Sequence, residues 1–156
     1  DNGDILLFDK ALKLTKQRYN SAKDKATTER EIKAMKAKGI NCLCPEYPQP
    51  KWFYSLCDAI GVYVIDCAAL AAPSSADNRD VDGTPSNDPL LVEEYLRRVD
   101  AMYRRAQNHV SIIAFSLGGN IGNGYNMYKA YEKLKAYGDS RPIIFEGAQG
   151  EWNSDI

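Results

Sequence analysis

The sequence predicts an α/β fold, a parallel β-sheet with helices packed outside it. Two observations carry this. Short apolar runs alternate with amphipathic stretches of helical period from residue 28 to residue 145. Short turns join them, and parallel strands linked in that way demand right-handed crossovers through the intervening helices. A third observation sets the scale, because 156 residues suit one domain, 1–156, with a full-sized core.

Taken in order, residues 5–8 and 11–14 have the apolar character of short strands, and a polar segment with turn residues Asn20 and Ser21 follows over 16–25. Thr28-Glu29-Arg30-Glu31 has the form of a capping box, which opens a helix with Ile32 and Met35 on one face and Gly39 as its stop. Residues 40–44 form a compact apolar strand. A second helix over 50–60 ends at Gly61, and the strand 62–66 follows. Residues 71–88, rich in Pro, Ser, Asp, Asn and Gly, read as a long exposed loop.

The longest helix is expected over 89–108. Leu91, Tyr95, Val99 and Met102 are spaced for its buried face, and Arg97, Arg98, Arg104 and Arg105 for its solvated side. A strand over 111–115, a helix ending at Gly138 and a strand over 142–145 complete the pattern. That makes four core strands, or five with one near Leu12, about half of the eight that close a barrel.

Composition excludes several classes of function. Twenty basic residues against 21 acidic ones leave no positive excess for nucleic acid or an anionic membrane. No stretch approaches the ~20 apolar residues of a membrane span, and the N-terminus does not read as a signal peptide. Cys42, Cys44, Cys57 and Cys67 have neither zinc-site spacing nor the density of a disulfide scaffold, so no metal and no cofactor is expected, and buried reduced thiols are.

In a parallel sheet of this kind, ligands meet the C-terminal ends of the strands. The candidates are therefore Glu46, Asp66, Cys67, the stretch Gly118 to Asn120, and Glu146. The loop Ser116-Leu117-Gly118-Gly119-Asn120-Ile121-Gly122-Asn123-Gly124 sits where an active-site loop belongs, yet it holds no acid, base or strong nucleophile. His109 precedes its strand and is expected on the opposite end, in a structural hydrogen bond. Without a histidine on its side of the sheet, Cys67 lacks an activating partner.

At these strand ends the chain resembles the catalytic barrel of glycoside hydrolase family 2, in particular the β-galactosidases. The run from Pro48 to Asp58 is similar to that family's P-x-x-P-x-[WF]-Y-x-L-C-D. Gly61 to Asp66 resembles its G-[LI]-Y-V-I-D strand, and Asn108-His109-Val110-Ser111-Ile112 its N-H-P-S-I entrance. Gly122-Asn123-Gly124-Tyr125-Asn126, Ser140-Arg141-Pro142 and the run from Glu151 to Ile156 add three further matches. The resemblance implies a partial (β/α) barrel, the first half of a TIM barrel.

It also implies where chemistry has been lost. The family's S-L-G-N-E supplies the acid/base glutamate, and here Gly119 stands for its asparagine and Asn120 for its glutamate. Glu46 replaces a histidine, and Leu43 and Pro45 replace an arginine and a serine. The family's E-A-N-I-E becomes Cys67-Ala68-Ala69-Leu70-Ala71, and Phe115 and Phe145 stand for a tryptophan and a tyrosine. A retaining glycosidase needs two carboxyl groups about 5 Å apart. The sequence ends at Ile156, ahead of the strand that carries the family's nucleophile, so on this reading both are missing.

The expectation is a glycosidase-like domain without hydrolysis of its own that retains weak carbohydrate binding. Gly119, Asn123 and Trp152 are its substrate-facing candidates, and Tyr47, Trp52, Tyr125 and Trp152 its stacking surfaces. One alternative is an enzyme that has moved its chemistry to Glu46, Asp66 and Glu146. The other is a structural or oligomerisation module. An uncovered parallel edge predicts self-association or completion by the remainder of a barrel.

Overall fold

A computed structural model describes residues 5–7, 10–20 and 22–156. Strands β1 (Leu6–Leu7) and β2 (Lys10–Ala11) form a small antiparallel pair. The expected first strand reached Phe8, which lies outside the described residues. The second was expected over 11–14, but only Ala11 is in a strand.

The main sheet has five parallel strands in the order β3 (Lys16–Tyr19), β4 (Cys42–Pro45), β5 (Tyr63–Cys67), β6 (Ile112–Gly118) and β7 (Ile143–Phe145). The first of these corrects the sequence reading, which made 16–25 a polar turn segment and placed a fifth strand near Leu12. Of the β3 side chains only Tyr19 is buried, while Lys16, Gln17 and Arg18 are exposed. A strand with one inward residue writes no alternating pattern into the sequence. Pairing to β4 creates it, with Lys16 beside Cys42 and Arg18 beside Cys44.

Helix α1 (Lys25–Ala37) starts one turn before the expected capping box. Its N-cap is Asp24, whose carboxylate accepts from the Thr27 backbone N–H at 2.8 Å and from the Thr27 hydroxyl at 2.7 Å. Thr28 is buried inside the helix instead of capping it. Helix α2 (Lys51–Ile60) buries Phe53, Tyr54, Leu56 and Cys57 and ends on Gly61, whose φ of 83° is left-handed and favours glycine. Helix α3 (Val92–Ala106) buries Tyr95, Val99, Met102 and Ala106, and Pro89–Leu91 forms a separate 3-10 turn ahead of it. Helix α4 (Tyr125–Ala136) buries Met127, Ala130 and Leu134.

The main core lies between the sheet and these helices, where Ile32, Leu43, Phe53, Val64, Val99, Met102, Phe115, Leu117, Met127 and Ile143 are almost wholly buried. Each such side chain contributes roughly 1.5–3 kcal/mol by leaving water. The opposite face of the sheet is thinner. Ile5, Cys42, Ile65 and Ala114 are buried there, with Leu14, Cys44, Tyr63, Ile113 and Ile144 only half-buried around them. Five parallel strands with helices outside are a partial (β/α) barrel.

The edge beyond β7 is not bare. Asp155 N–H donates to the Ile143 carbonyl at 2.7 Å, Ile143 N–H donates to the Asp155 carboxylate at 2.8 Å, and Phe145 N–H donates to the Ser154 hydroxyl at 3.0 Å. On this side residues 154 and 155 cover part of the edge.

Candidate active-site rim

The C-terminal strand ends converge on the loop after β6, and its backbone is tightly held. Residues 71–88, expected as a long exposed loop, are exposed in part and anchored against it. Ala72 N–H donates to the Asn120 carbonyl at 2.9 Å, Asn123 N–H to the Asn78 carbonyl at 3.0 Å, and the Ser86 hydroxyl to the Gly122 carbonyl at 2.6 Å. A Cβ on Gly122 would stand 2.3 Å from the Ser75 carbonyl oxygen and 2.5 Å from that of Asn78, so no other residue fits under this strap without moving it. Arg79 ties the strap onward, donating to the Ala148 carbonyl at 2.9 Å and pairing with Glu151 at 3.1 Å.

On this fixed loop Gly119 and Asn120 are exposed. A Cβ on Gly119 would meet nothing within 4 Å, so packing does not demand glycine there. Among the described residues the Asn120 side chain makes no hydrogen bond, and it stands free at the end of β6.

Asn123, expected to face substrate, is buried. Its amide and that of Asn153 bond reciprocally at 3.2 and 2.9 Å, and its carbonyl oxygen also accepts from Gly124 N–H at 2.9 Å. This buried amide pair clamps the β6 loop to the segment after β7. It corrects the substrate-facing assignment, since a buried amide that lost its partner would cost about 1–3 kcal/mol.

Trp152 is half-exposed but stacks on Tyr128 with ring centroids 5.1 Å apart and meets Tyr131 edge-on at 5.7 Å. It lies against the first turns of α4 on the flank of the rim. Among the other stacking candidates Tyr47 and Tyr125 are exposed, while Trp52 packs against the main core.

The three candidate carboxylates separate. Asp66 is fully buried on the helix side of the sheet, where it accepts from the Tyr54 hydroxyl at 2.7 Å and from Arg105 Nε at 3.1 Å. Arg105 also donates to the Cys67 carbonyl at 3.0 Å, so it belongs to this buried clasp and not to the solvated face of α3. Burial, and then the charge of Asp66, push the Tyr54 hydroxyl well above the usual tyrosine range and Cys67 up to about 12. Cys67 is therefore a protonated core thiol.

Glu46 is exposed and 3.7 Å from Arg18, and Glu146 is exposed at the start of a 3-10 turn. Glu46 follows β4 and Glu146 follows β7, so β5 and β6 lie between them along the curved sheet.

His109 lies at the opposite end, as the sequence indicated. Its Nδ1 is 2.7 Å from the Asp58 carboxylate, which also accepts from Ser111 N–H at 2.9 Å. Burial opposes ionisation of Asp58, but these hydrogen bonds prevail and hold its carboxyl below the usual range. Among the described residues no cluster of three His, Cys, Asp or Glu could hold a metal, and no helix is long and apolar enough to cross a membrane.

One substitution leaves a mark in the backbone. Ala69 adopts φ = 60°, a left-handed conformation that costs a residue with a Cβ roughly 1–2 kcal/mol and that asparagine tolerates better. This is the position at which the resembling family carries its asparagine. Sequence reasoning missed this, together with Arg79, Arg105 and Asn153. The alignment of Ala69 with an asparagine was the available signal for the first. No local pattern marked the others, whose partners lie 30 or more residues away.

Comparison with known proteins accounts for this framework. The model of the family described as "Glycosyl hydrolases family 2, TIM barrel domain" matches residues 15–156. The β-galactosidase of Vibrio cholerae is 37% identical over 126 residues, 80% of this chain and 12% of that protein. That of Lactococcus lactis is 36% identical over 119 residues, 76% of this chain and 12% of its own. The chain thus spans about 12% of the length of these relatives. Among solved structures, a β-glucuronidase from Parabacteroides merdae superposes with a TM-score of 0.73 at 19% identity, covering 93% of this chain and 19% of that one. A β-galacturonidase from Eisenbergiella tayi gives a TM-score of 0.74 at 19% identity over 91% of this chain and 26% of that one.

Proposed function

This chain belongs to glycosyl hydrolase family 2, and we propose that it is a barrel segment of that family that no longer hydrolyses glycosides but keeps weak affinity for galactosides. The observation that carries the reading is Asn120, an amide at the family's acid/base position on a loop whose backbone is otherwise held in place. An amide has no proton to give to a departing sugar oxygen and cannot take one from water. General acid–base help of this kind is worth about 10²–10⁴-fold in rate. Among the carboxylates offered as substitutes, Asp66 supports the same reading, because it is buried and committed to Tyr54 and Arg105.

Support for residual binding comes from the rim surface, where exposed Tyr47 and Tyr125 rings accompany the exposed Asn120, Glu46 and Glu146 side chains. A planar ring next to hydrogen-bonding groups suits the apolar face and hydroxyl edge of a sugar. The relatives named β-galactosidase make galactosides the first ligands to try. Titration with galactose and lactose, followed by tryptophan fluorescence, should give a saturable change. A flat response up to the solubility of the sugars would remove binding from the proposal. Nitrophenyl β-galactosides are expected to turn over at the rate seen without protein.

A further inference from the structure

The outer layer of helices holds an arrangement that the rim does not use. Tyr103 on α3 and Tyr137, which caps the end of α4, stack with ring centroids 3.9 Å apart and planes 2° from parallel. Both rings are half-buried and packed against the main core. The Tyr137 hydroxyl donates to one oxygen of the Asp100 carboxylate, and the other accepts from Arg104 Nε at 2.7 Å. Lys133 Nζ lies 5.6 Å from the Tyr137 ring centroid. Trp152, by contrast, is the partner of the Tyr128 and Tyr131 rings, so among the described residues no other two tyrosines stack on each other.

We propose that Tyr103 and Tyr137 form an oxidative cross-linking site, joined as dityrosine when a one-electron oxidant reaches the surface of α3 and α4. Each phenol gives one electron to the oxidant and loses its hydroxyl proton, that of Tyr137 to Asp100 and that of Tyr103 to water. The two neutral phenoxyl radicals then form one bond between ring carbons ortho to oxygen. The hydrogen on each of those carbons moves to the phenolic oxygen, which restores two phenols. Two electrons and two protons leave in all. Parallel rings at this spacing already aim the carbon p orbitals of one ring at the other, the near-attack arrangement that makes a reaction within one molecule fast. An electron lost alone would place a second positive charge beside Lys133, and passing the proton to Asp100 keeps the Tyr137 ring neutral.

The test is oxidation of the dilute full chain by a photo-excited ruthenium tris-bipyridyl complex with persulfate as electron acceptor. The product should stay monomeric, fluoresce as dityrosine, weigh two hydrogens less, and yield a peptide in which Tyr103 is joined to Tyr137. In denaturing urea the yield of that link should fall about tenfold or more, because the fold no longer holds the rings together. Tyr137→Phe keeps a ring in the stack and should abolish the link, and Asp100→Asn should slow its formation about tenfold. Mapping on the unmodified chain with and without urea needs no variant to fold. The proposal is overturned if the folded chain forms no such link, if the link joins other tyrosines, or if urea leaves its yield unchanged. An unchanged rate in folded Asp100→Asn would overturn the part given to Asp100.

Discussion

Several polar groups of the framework are buried or half-buried and matched by partners distant in sequence, whereas those on the open rim are exposed. Asp66 has Tyr54 and Arg105, Asn123 has Asn153, and Asp58 has His109 and Ser111. Asn120 and Glu146 are exposed. A matched framework group cannot be exchanged without stranding its partner in the core, whereas a substitution on the exposed rim passes at little cost to folding.

Substitutions on the two sides should separate sharply, and the largest effect is expected at the clasp. Asp66→Ala leaves Arg105 facing the core without its carboxylate and should cost about 3–5 kcal/mol in urea unfolding. A loss below about 1 kcal/mol would remove the distinction between clasp and rim. Gly122→Ala, which drives a Cβ into the strap, should cost about 1–3 kcal/mol. Gly119→Ala, three positions earlier and facing open space, should be close to neutral. Equal effects would show that the strap does not hold the loop.

Asn153→Ala strips Asn123 of its buried partner and should cost about 1–3 kcal/mol by the same measurement. Ala69→Asn should act in the opposite sense, stabilising by about 0.5–1 kcal/mol as the left-handed backbone regains a residue that suits it. A destabilising result would mean that φ at this position relaxes in solution. Replacing Glu46 or Glu146 by Gln should shift stability by no more than about 0.5 kcal/mol.

Acid should weaken the framework. Asp58, Asp139 and Asp155 all have carboxyls held below the usual value of 3.8: hydrogen bonds outweigh burial at Asp58 and Asp155, and Arg141 dominates at Asp139. A depressed carboxylate adds stability that is complete above its ordinary value and lost as pH falls through the folded one. Urea midpoints should therefore drop as pH falls below the ordinary carboxylate value, and less steeply in Asp58→Asn. An unchanged slope in that variant would remove Asp58 from the acid-sensitive set.

How much was legible in the sequence follows from the range of each interaction. Helix α2 and its Gly61 stop, and the buried stripe of α3, are written within one or two turns and were readable. Strand β3 was not, because three of its four side chains face water and only its neighbour makes it a strand. The start of α1 was misplaced since two capping signals compete within four residues, and Asp24 prevails with two hydrogen bonds. At the rim the sequence marked Asn120, which the structure places exposed at the end of β6. The structural roles of Asn123 and Asp66 were hidden, because Asn153 is 30 residues from the first and Arg105 is 39 from the second. Packing, and no local pattern, divides these buried framework groups from the exposed rim.

The central claim is that the rim retains the family's backbone without a group able to move a proton to or from a glycosidic oxygen. Turnover of nitrophenyl β-galactosides by the full chain, with Glu46→Gln and Glu146→Gln beside it, tests this most directly. The account predicts product formation at the uncatalysed rate for all three proteins. Turnover by the unmodified chain that either substitution abolishes would contradict it and place the missing chemistry on a relocated carboxylate.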